Sequence, residues 1–230
     1  MSSDVGTRIR TLLLGLTTAA AAIALTGCAT SAPADDASGT SSPSTSASAE
    51  PAVATVRIGA ADVKLLDADG TELSALPYTS TADDLVAAYT DAFGAEPTEE
   101  AYPGHIEEQP GTDYAWEGFT LRVLESNASV PDQNLVNYVV TAAEVGDVAI
   151  TAGADDVTVG STVADVVPGP GSSADPVDID GVPTRFHAAD VHEIGGTDDY
   201  GNPLADYVSA RVGPDGVVTE LYALNHSFGV

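Results

Sequence analysis

Ser80-Thr81-Ala82-Asp83-Asp84-Leu85-Val86-Ala87-Ala88-Tyr89-Thr90-Asp91-Ala92-Phe93-Gly94 carries the clearest helical pattern in the chain. Leu85, Val86, Tyr89 and Phe93 recur at helical spacing, so one face is apolar and the other carries Asp83, Asp84 and Asp91. Thr81 is an N-cap residue with an acid three positions later, a shortened capping box because Asp reaches less far than Glu. Gly94 is a natural C-cap ahead of Glu96-Pro97, which cannot extend the helix. The spacing predicts a helix over 81–93, with its aromatic residues as core anchors.

The sequence around it alternates with period two. Ala54-Thr55-Val56-Arg57-Ile58, Val63-Lys64-Leu65-Leu66 and Thr71-Glu72-Leu73 read as strands, the last two joined by Asp67-Ala68-Asp69-Gly70. Asp-Gly between apolar runs predicts a type I′ hairpin turn. A calcium loop is the competing reading of Asp-x-Asp-Gly. Aligned on Gly70, it would place Leu65 and Leu76 where essential oxygen ligands must stand, so the turn is preferred. Thr98–Thr112, acidic and interrupted by Pro103, Gly104, Pro110 and Gly111, reads as a long loop. Tyr114-Ala115-Trp116 and Phe119–Val123 follow as strands around Glu117-Gly118. Tyr138-Val139-Val140 and Val148-Ala149-Ile150 read as a further pair through Gly146-Asp147, and Tyr207–Val212 and Val217–Tyr222 as another around Gly213-Pro214-Asp215-Gly216. The expected class is α+β, mainly antiparallel sheet with one helix.

Ser80–Val86 also lines up with Ser161-Thr162-Val163-Ala164-Asp165-Val166-Val167, both reading as capped helix starts followed by a loop and strands. Two degenerate modules, 77–150 and 157–230, are expected on that basis. This order of elements resembles the tandem α+β modules of small bacterial envelope lipoproteins, including the β-lactamase-inhibitor-like repeat. The resemblance covers Pro77 to Tyr222 and implies a protein-binding or assembly role, with no binding residue to carry over. The second copy departs from it, because Pro168 and Pro170 stop a helix after about one turn.

The amino terminus says where the body belongs. Arg8 and Arg10 precede an apolar run through Leu25 of about 15 residues, a signal-peptide length rather than a bilayer span. Leu25-Thr26-Gly27-Cys28 then resembles the lipobox of bacterial lipoproteins, with Cys28, the only cysteine, as the lipid acceptor. The resemblance implies cleavage of residues 1–27 and residence at the outer face of the cell membrane through lipid on Cys28. Composition similarly resembles that of proteins from high-GC actinobacteria. Residues 28–52 are Ser, Ala, Thr and Pro with little to bury, an expected disordered tether spanning roughly 25–30 Å. The globular domain is expected over 53–230.

Charge narrows the partners. The chain holds 7 Lys+Arg and 35 Asp+Glu, and loss of Arg8, Arg10 and Asp4 with the signal leaves 5 and 34, a formal −29. A body this negative is repelled by phosphate backbones and anionic headgroups, which excludes nucleic acid and makes a hydrophobic anchor necessary. A lone cysteine excludes a disulfide framework and a cysteine-based zinc cluster.

Chemistry-bearing motifs are few. There is no Gly-x-Ser-x-Gly elbow, Ser161 reads as a cap, and Ser227 stands at the carboxyl end. His187 and His192 are five apart, which in a regular strand puts them on opposite faces, and with His105 and His226 they form no metal-binding spacing. The acid pairs Asp83-Asp84, Asp155-Asp156 and Asp198-Asp199 read as solvated charge, with weak calcium binding as the alternative. Asn127-Ala128-Ser129 matches a eukaryotic glycosylation sequon that a bacterial lipoprotein has no use for. Tyr102, Tyr114 and Trp116 are the candidate interaction surface, with core packing on the helix as the competing role. No cofactor is implied. Non-enzymatic binding of a protein or cell-wall component is the leading expectation, and a carboxylate-dependent hydrolase the alternative.

Overall fold

The computed structural model describes residues 51–105, 109–126, 135–170, 175–197, 201 and 203–226. Cys28 with its signal and tether up to residue 50, the sequon Asn127–Ser129, Asp198-Asp199 and Ser227 lie outside the described residues.

Among the described residues two sheets and one helix share a single core. The five-stranded sheet contains β1 (Thr55–Ile58), β2 (Asp62–Leu66), β3 (Glu72–Pro77), β8 (Glu144–Val145) and β9 (Val148–Ala152), ordered β3-β2-β1-β9-β8. The eight-stranded sheet contains β4 (Thr98–Tyr102), β5 (Gly111–Trp116), β6 (Phe119–Leu124), β7 (Val136–Val140), β10 (Val177–Ile179), β11 (Val182–Thr197), β12 (Pro203–Val212) and β13 (Val218–His226). Its order is β10-β11-β12-β13-β7-β6-β5-β4, antiparallel throughout.

Helix α1 (Ala82–Phe93) forms where the periodicity places it. The Thr81 hydroxyl oxygen accepts from the Asp84 N–H and donates to the Asp84 carboxylate at 2.7 Å. Gly94, with φ of 65°, closes the helix by donating to the Thr90 carbonyl. Its apolar face drives Leu85 and Tyr89 fully into the core. There the Tyr89 ring meets Phe93, Trp116, Phe119 and Tyr138 at centroid distances of 5.0–5.9 Å. The Tyr89 hydroxyl donates to that of Tyr138 at 3.0 Å, so each buried phenol has a partner. Burial pushes the Tyr78, Tyr89 and Tyr138 phenols well above their ordinary value.

Several expectations are corrected. Thr98–Tyr102 is not loop but β4, an edge strand whose first four residues are exposed, where acidic side chains discourage pairing with other chains. Val136–Val140 and Val148–Ala152 do not pair with each other. Strand β7 lies beside β6 and β13, whereas β9 runs parallel to β1 in the other sheet. The turn at Asp67–Gly70 is not type I′, because only Gly70 has positive φ, at 77°. The Asp67 carboxylate instead accepts from the N–H groups of Asp69 and Thr71, and a register shift at Leu66 absorbs the extra residue, the combination of a type I turn and a glycine bulge.

Ser161–Val167 contains no helix. Ser161 and Val163 bond the backbone of Val218 and Gly216, Thr162 bridges Val217, and the Ser161 hydroxyl donates to the Thr158 carbonyl at 2.6 Å. The serine read as a helix cap closes a turn instead. Finally, β11 carries a bulge between Ala188 and Asp190. His187 therefore stands opposite Ala210 and His192 opposite Asp206, and those two positions share a face of β12. The two histidines are on the same face, the reverse of the expectation from spacing.

Candidate functional site

The eight-stranded sheet has one face turned into the core and one turned away from it. Alternation assigns each residue. Phe119 and Leu121 of β6, Val136, Tyr138 and Val140 of β7, Leu221 and Ala223 of β13, and Val208, Ala210 and Val212 of β12 belong to the core cluster. Their neighbours Arg122, Asn137, Val139, Tyr222, Ser209 and Arg211 point the other way. A register shift between β12 and β13 sets Asn225 opposite Tyr207 while Tyr222 stays opposite Ser209. Tyr222 and Asn225, three apart, thereby face the same side.

Two pockets indent this outer face. One, of about 330 Å³, is lined by Gly169, Phe186, His187, Tyr207, Ser209, Arg211, Tyr222 and Asn225. The other, of about 300 Å³, is lined by His105, Arg122, Asn137, Val139 and Ala223–Leu224, and again by Tyr222 and Asn225. The shared pair makes them two halves of one trough across the β7–β13 seam. Asn225 is held by its amide nitrogen, which donates to the Ser209 hydroxyl oxygen at 3.0 Å and to the carbonyls of Tyr207 and Tyr222.

Both arginines of the trough are locked. Arg122 makes a bidentate pair with Asp113, directly opposite on β5, at 2.8 and 2.9 Å, and its guanidinium lies 3.4 Å above the Tyr102 ring. Arg211 pairs with Glu220, directly opposite on β13, at 2.7 Å and lies 5.5 Å from the centre of the Tyr222 ring. Its Nε is buried without an acceptor. Burial, and hydrogen bonding to Glu220, push the Tyr222 phenol up to about 12, so the hydroxyl stays protonated at any physiological pH. Burial lowers His187 from its ordinary value, against a smaller opposing pull from Asp155. Its Nδ1 accepts from the Val167 N–H at 3.1 Å, which assigns the ring proton to Nε2.

The candidate surface Tyr102, Tyr114 and Trp116 is divided by the strand pleat. Trp116 and Tyr114 face the core with the helix. The Trp116 indole donates to the Ala95 carbonyl at 2.8 Å and its ring meets Tyr89, Phe93 and Phe119. Tyr102 is on the opposite face and nearly covered, stacked against Arg122 and His105. Sequence reasoning missed Phe186, Tyr207, Tyr222 and Asn225, which come from three strands and gather only through register. The period-two position of Tyr222 beside Leu221 was the available signal.

Elsewhere, a pocket of about 210 Å³ is lined by Arg57, Gly59, Ala61, Asp62, Lys64, Gly153, Ala154 and Asp190. One carboxylate oxygen each of Asp62 and Asp190 lies within 4 Å of the point a Gly59 Cβ would occupy. Asp190 accepts from the buried Ala60 N–H at 2.8 Å. His226 pairs with Asp206 on the neighbouring strand, and both are largely buried. Among the described residues no three His, Cys, Asp or Glu side chains converge on a point where a metal ion would be held. Nor is any helix there long and apolar enough to cross a membrane.

No family model, curated protein or solved structure matches this chain.

Proposed function

We propose that this chain is a non-enzymatic binding protein, held at the outer face of the cell membrane by lipid on Cys28, and that it binds through the outer face of the eight-stranded sheet. One observation carries the choice of surface. Phe186, Tyr207, Tyr222, Arg211, Ser209 and Asn225 line a trough on the face turned away from the core, over which no helix or second sheet lies among the described residues. Partly exposed aromatics beside pre-positioned polar groups are what a recognition site requires, and solvated sheet faces more usually carry Thr, Lys and Glu. The expected ligand is a protein or a component of the cell wall.

The two-module reading belongs to this proposal. Strands β4 to β7 and β10 to β13 are each four-stranded meanders, joined last strand to last strand. The third strand of each carries Arg122 or Arg211 between apolar residues, paired with a carboxylate on an adjacent strand, Asp113 on the preceding β5 in one and Glu220 on the following β13 in the other, and set over a tyrosine. This supports two degenerate copies despite the missing second helix.

The test is site-directed photo-crosslinking in intact cells. A crosslinker at Val139, in the trough, should capture a specific adduct that the same group at Leu73, exposed on the other sheet, does not. Equal capture at both positions removes the proposal. The hydrolase alternative has one observation in its favour, the convergence of Asp62 and Asp190 in a pocket beside Arg57 and Lys64. Absence of turnover of wall polysaccharide by the purified chain, or turnover unchanged by Asp62→Asn, rejects it.

A further inference from the structure

We infer that the trough takes a neutral oligosaccharide, one sugar ring seated in the 330 Å³ pocket between Phe186, Tyr207 and Tyr222 and the next crossing Tyr222 and Asn225 into the 300 Å³ pocket. This rests on the outer sheet face being the binding surface.

The charge of the ligand follows from the lining. Among the described residues neither pocket is lined by a carboxylate, although the sequence has 35 acidic residues, so a cation finds no counter-ion there. The arginines offer an anion little, because Arg122 is neutralised by Asp113 and Arg211 by Glu220. An anion approaching would also meet the field of the whole acidic body. What remains is an uncharged ligand.

Its shape and polarity follow from the same side chains. Three aromatic rings present apolar faces, suited to the C–H face of a pyranose. Between them stand donors and acceptors whose directions are fixed. The Ser209 oxygen accepts from Asn225 and so turns its own hydrogen elsewhere, and the Asn225 carbonyl oxygen remains an acceptor once the amide nitrogen is engaged. The Tyr207 phenol, raised by burial, stays a donor. Vicinal hydroxyls, each donor and acceptor, match such a mixed set. A leucine or phenylalanine inserted from a protein partner would desolvate these groups without replacing their hydrogen bonds, which is costly. Two pockets sharing one divide also imply a ligand longer than one ring.

Saturation-transfer NMR and calorimetry on the purified chain with cellobiose, maltose, N,N′-diacetylchitobiose and their tetrasaccharides test this. At least one series should bind, its tetrasaccharide about tenfold more tightly than its disaccharide. Tyr222→Ala should reduce the affinity at least tenfold, and Tyr207→Ala should weaken it as well. No binding by any of the six at 20 mM overturns the inference, as does binding undisturbed by Tyr222→Ala in a variant whose circular dichroism matches the parent. Crosslinking from Val139 to a protein together with sugar-blind NMR spectra would leave the binding face standing and reject the saccharide. Absence of both would reject the two together.

Discussion

Gly153 is where the five-stranded sheet presses on the bulge of β11, and replacing it with alanine should unlock that contact. Its φ is +66°, and an added Cβ would stand 2.0 Å from the Ala189 carbonyl oxygen and 2.9 Å from the carbonyl carbon. Ordinary contact begins at 3.4 Å, and a backbone carbonyl cannot swing aside as a flexible side chain can. Two costs are involved. A left-handed alanine costs about 1–2 kcal/mol, and the forced shift of packed backbone about 1–3 kcal/mol more. Gly70 separates them, because its φ is +77° but nothing lies within 4 Å of the added atom. Gly70→Ala should therefore cost about 1–2 kcal/mol and Gly153→Ala about 2–5 kcal/mol in the same host. Urea unfolding followed by circular dichroism measures both. Equal losses, within about 0.5 kcal/mol, would refute the close approach of β9 to β11 and with it the way the sheets are locked together.

Other outcomes follow from single side chains. Thr81→Ala should lose about 1 kcal/mol, the usual worth of an N-cap, in the same unfolding assay, and Thr81→Ser should recover most of it. Asp190→Ala leaves the buried Ala60 N–H without its acceptor and should cost about 1–3 kcal/mol; a neutral result would mean water replaces the carboxylate. Stability should be level between pH 8 and the ordinary tyrosine value near 10 and fall as pH rises beyond it. The sign comes from Tyr78, Tyr89 and Tyr138, whose folded values are raised: above pH 10 the unfolded chain releases phenolic protons that the native chain retains. Tyr89→Phe should flatten that decline, and an unchanged slope would count against a buried phenol cluster. Cys28→Ala should move the protein from the membrane fraction to the soluble one, and persistence with membranes would reject the lipid anchor.

What could be read beforehand was what local chemistry decides. The helix at Ala82–Phe93 was legible because cap, period and stop signal all lie within fifteen residues, and the Gly213–Gly216 turn because its residues bond one another. Pairing between distant segments was not. Nothing in Val148–Ala152 distinguishes a partner at β7 from a parallel partner at β1, since an apolar run buried on either side looks the same. Strand β4 escaped notice because an edge strand is bound mainly by its backbone and its side chains obey solvent. The bulge at Ala189 has no signature in Ala188-Ala189-Asp190, yet it decides which way two histidines face. The site suffered most, because Phe186, Tyr207, Tyr222 and Asn225 are neighbours only after β11, β12 and β13 find their register. Tyr114 and Trp116 drew attention by being aromatic and close in sequence, which is also how core residues behave.

The joint between β7 and β13 sets the order in which the chain must assemble. Within each meander, neighbouring strands are joined by connections far shorter than the distance in sequence between the meanders. The joint itself matches only Leu221 with Val140, Tyr222 with Val139 and Ala223 with Tyr138. Closing it spans about 80 residues, an entropic penalty that three residue pairs repay only once both partners are preformed. The trough straddles that joint. The trough proposed for recognition is then the last part of the sheet to come into being, complete only when the two halves of the sheet have met.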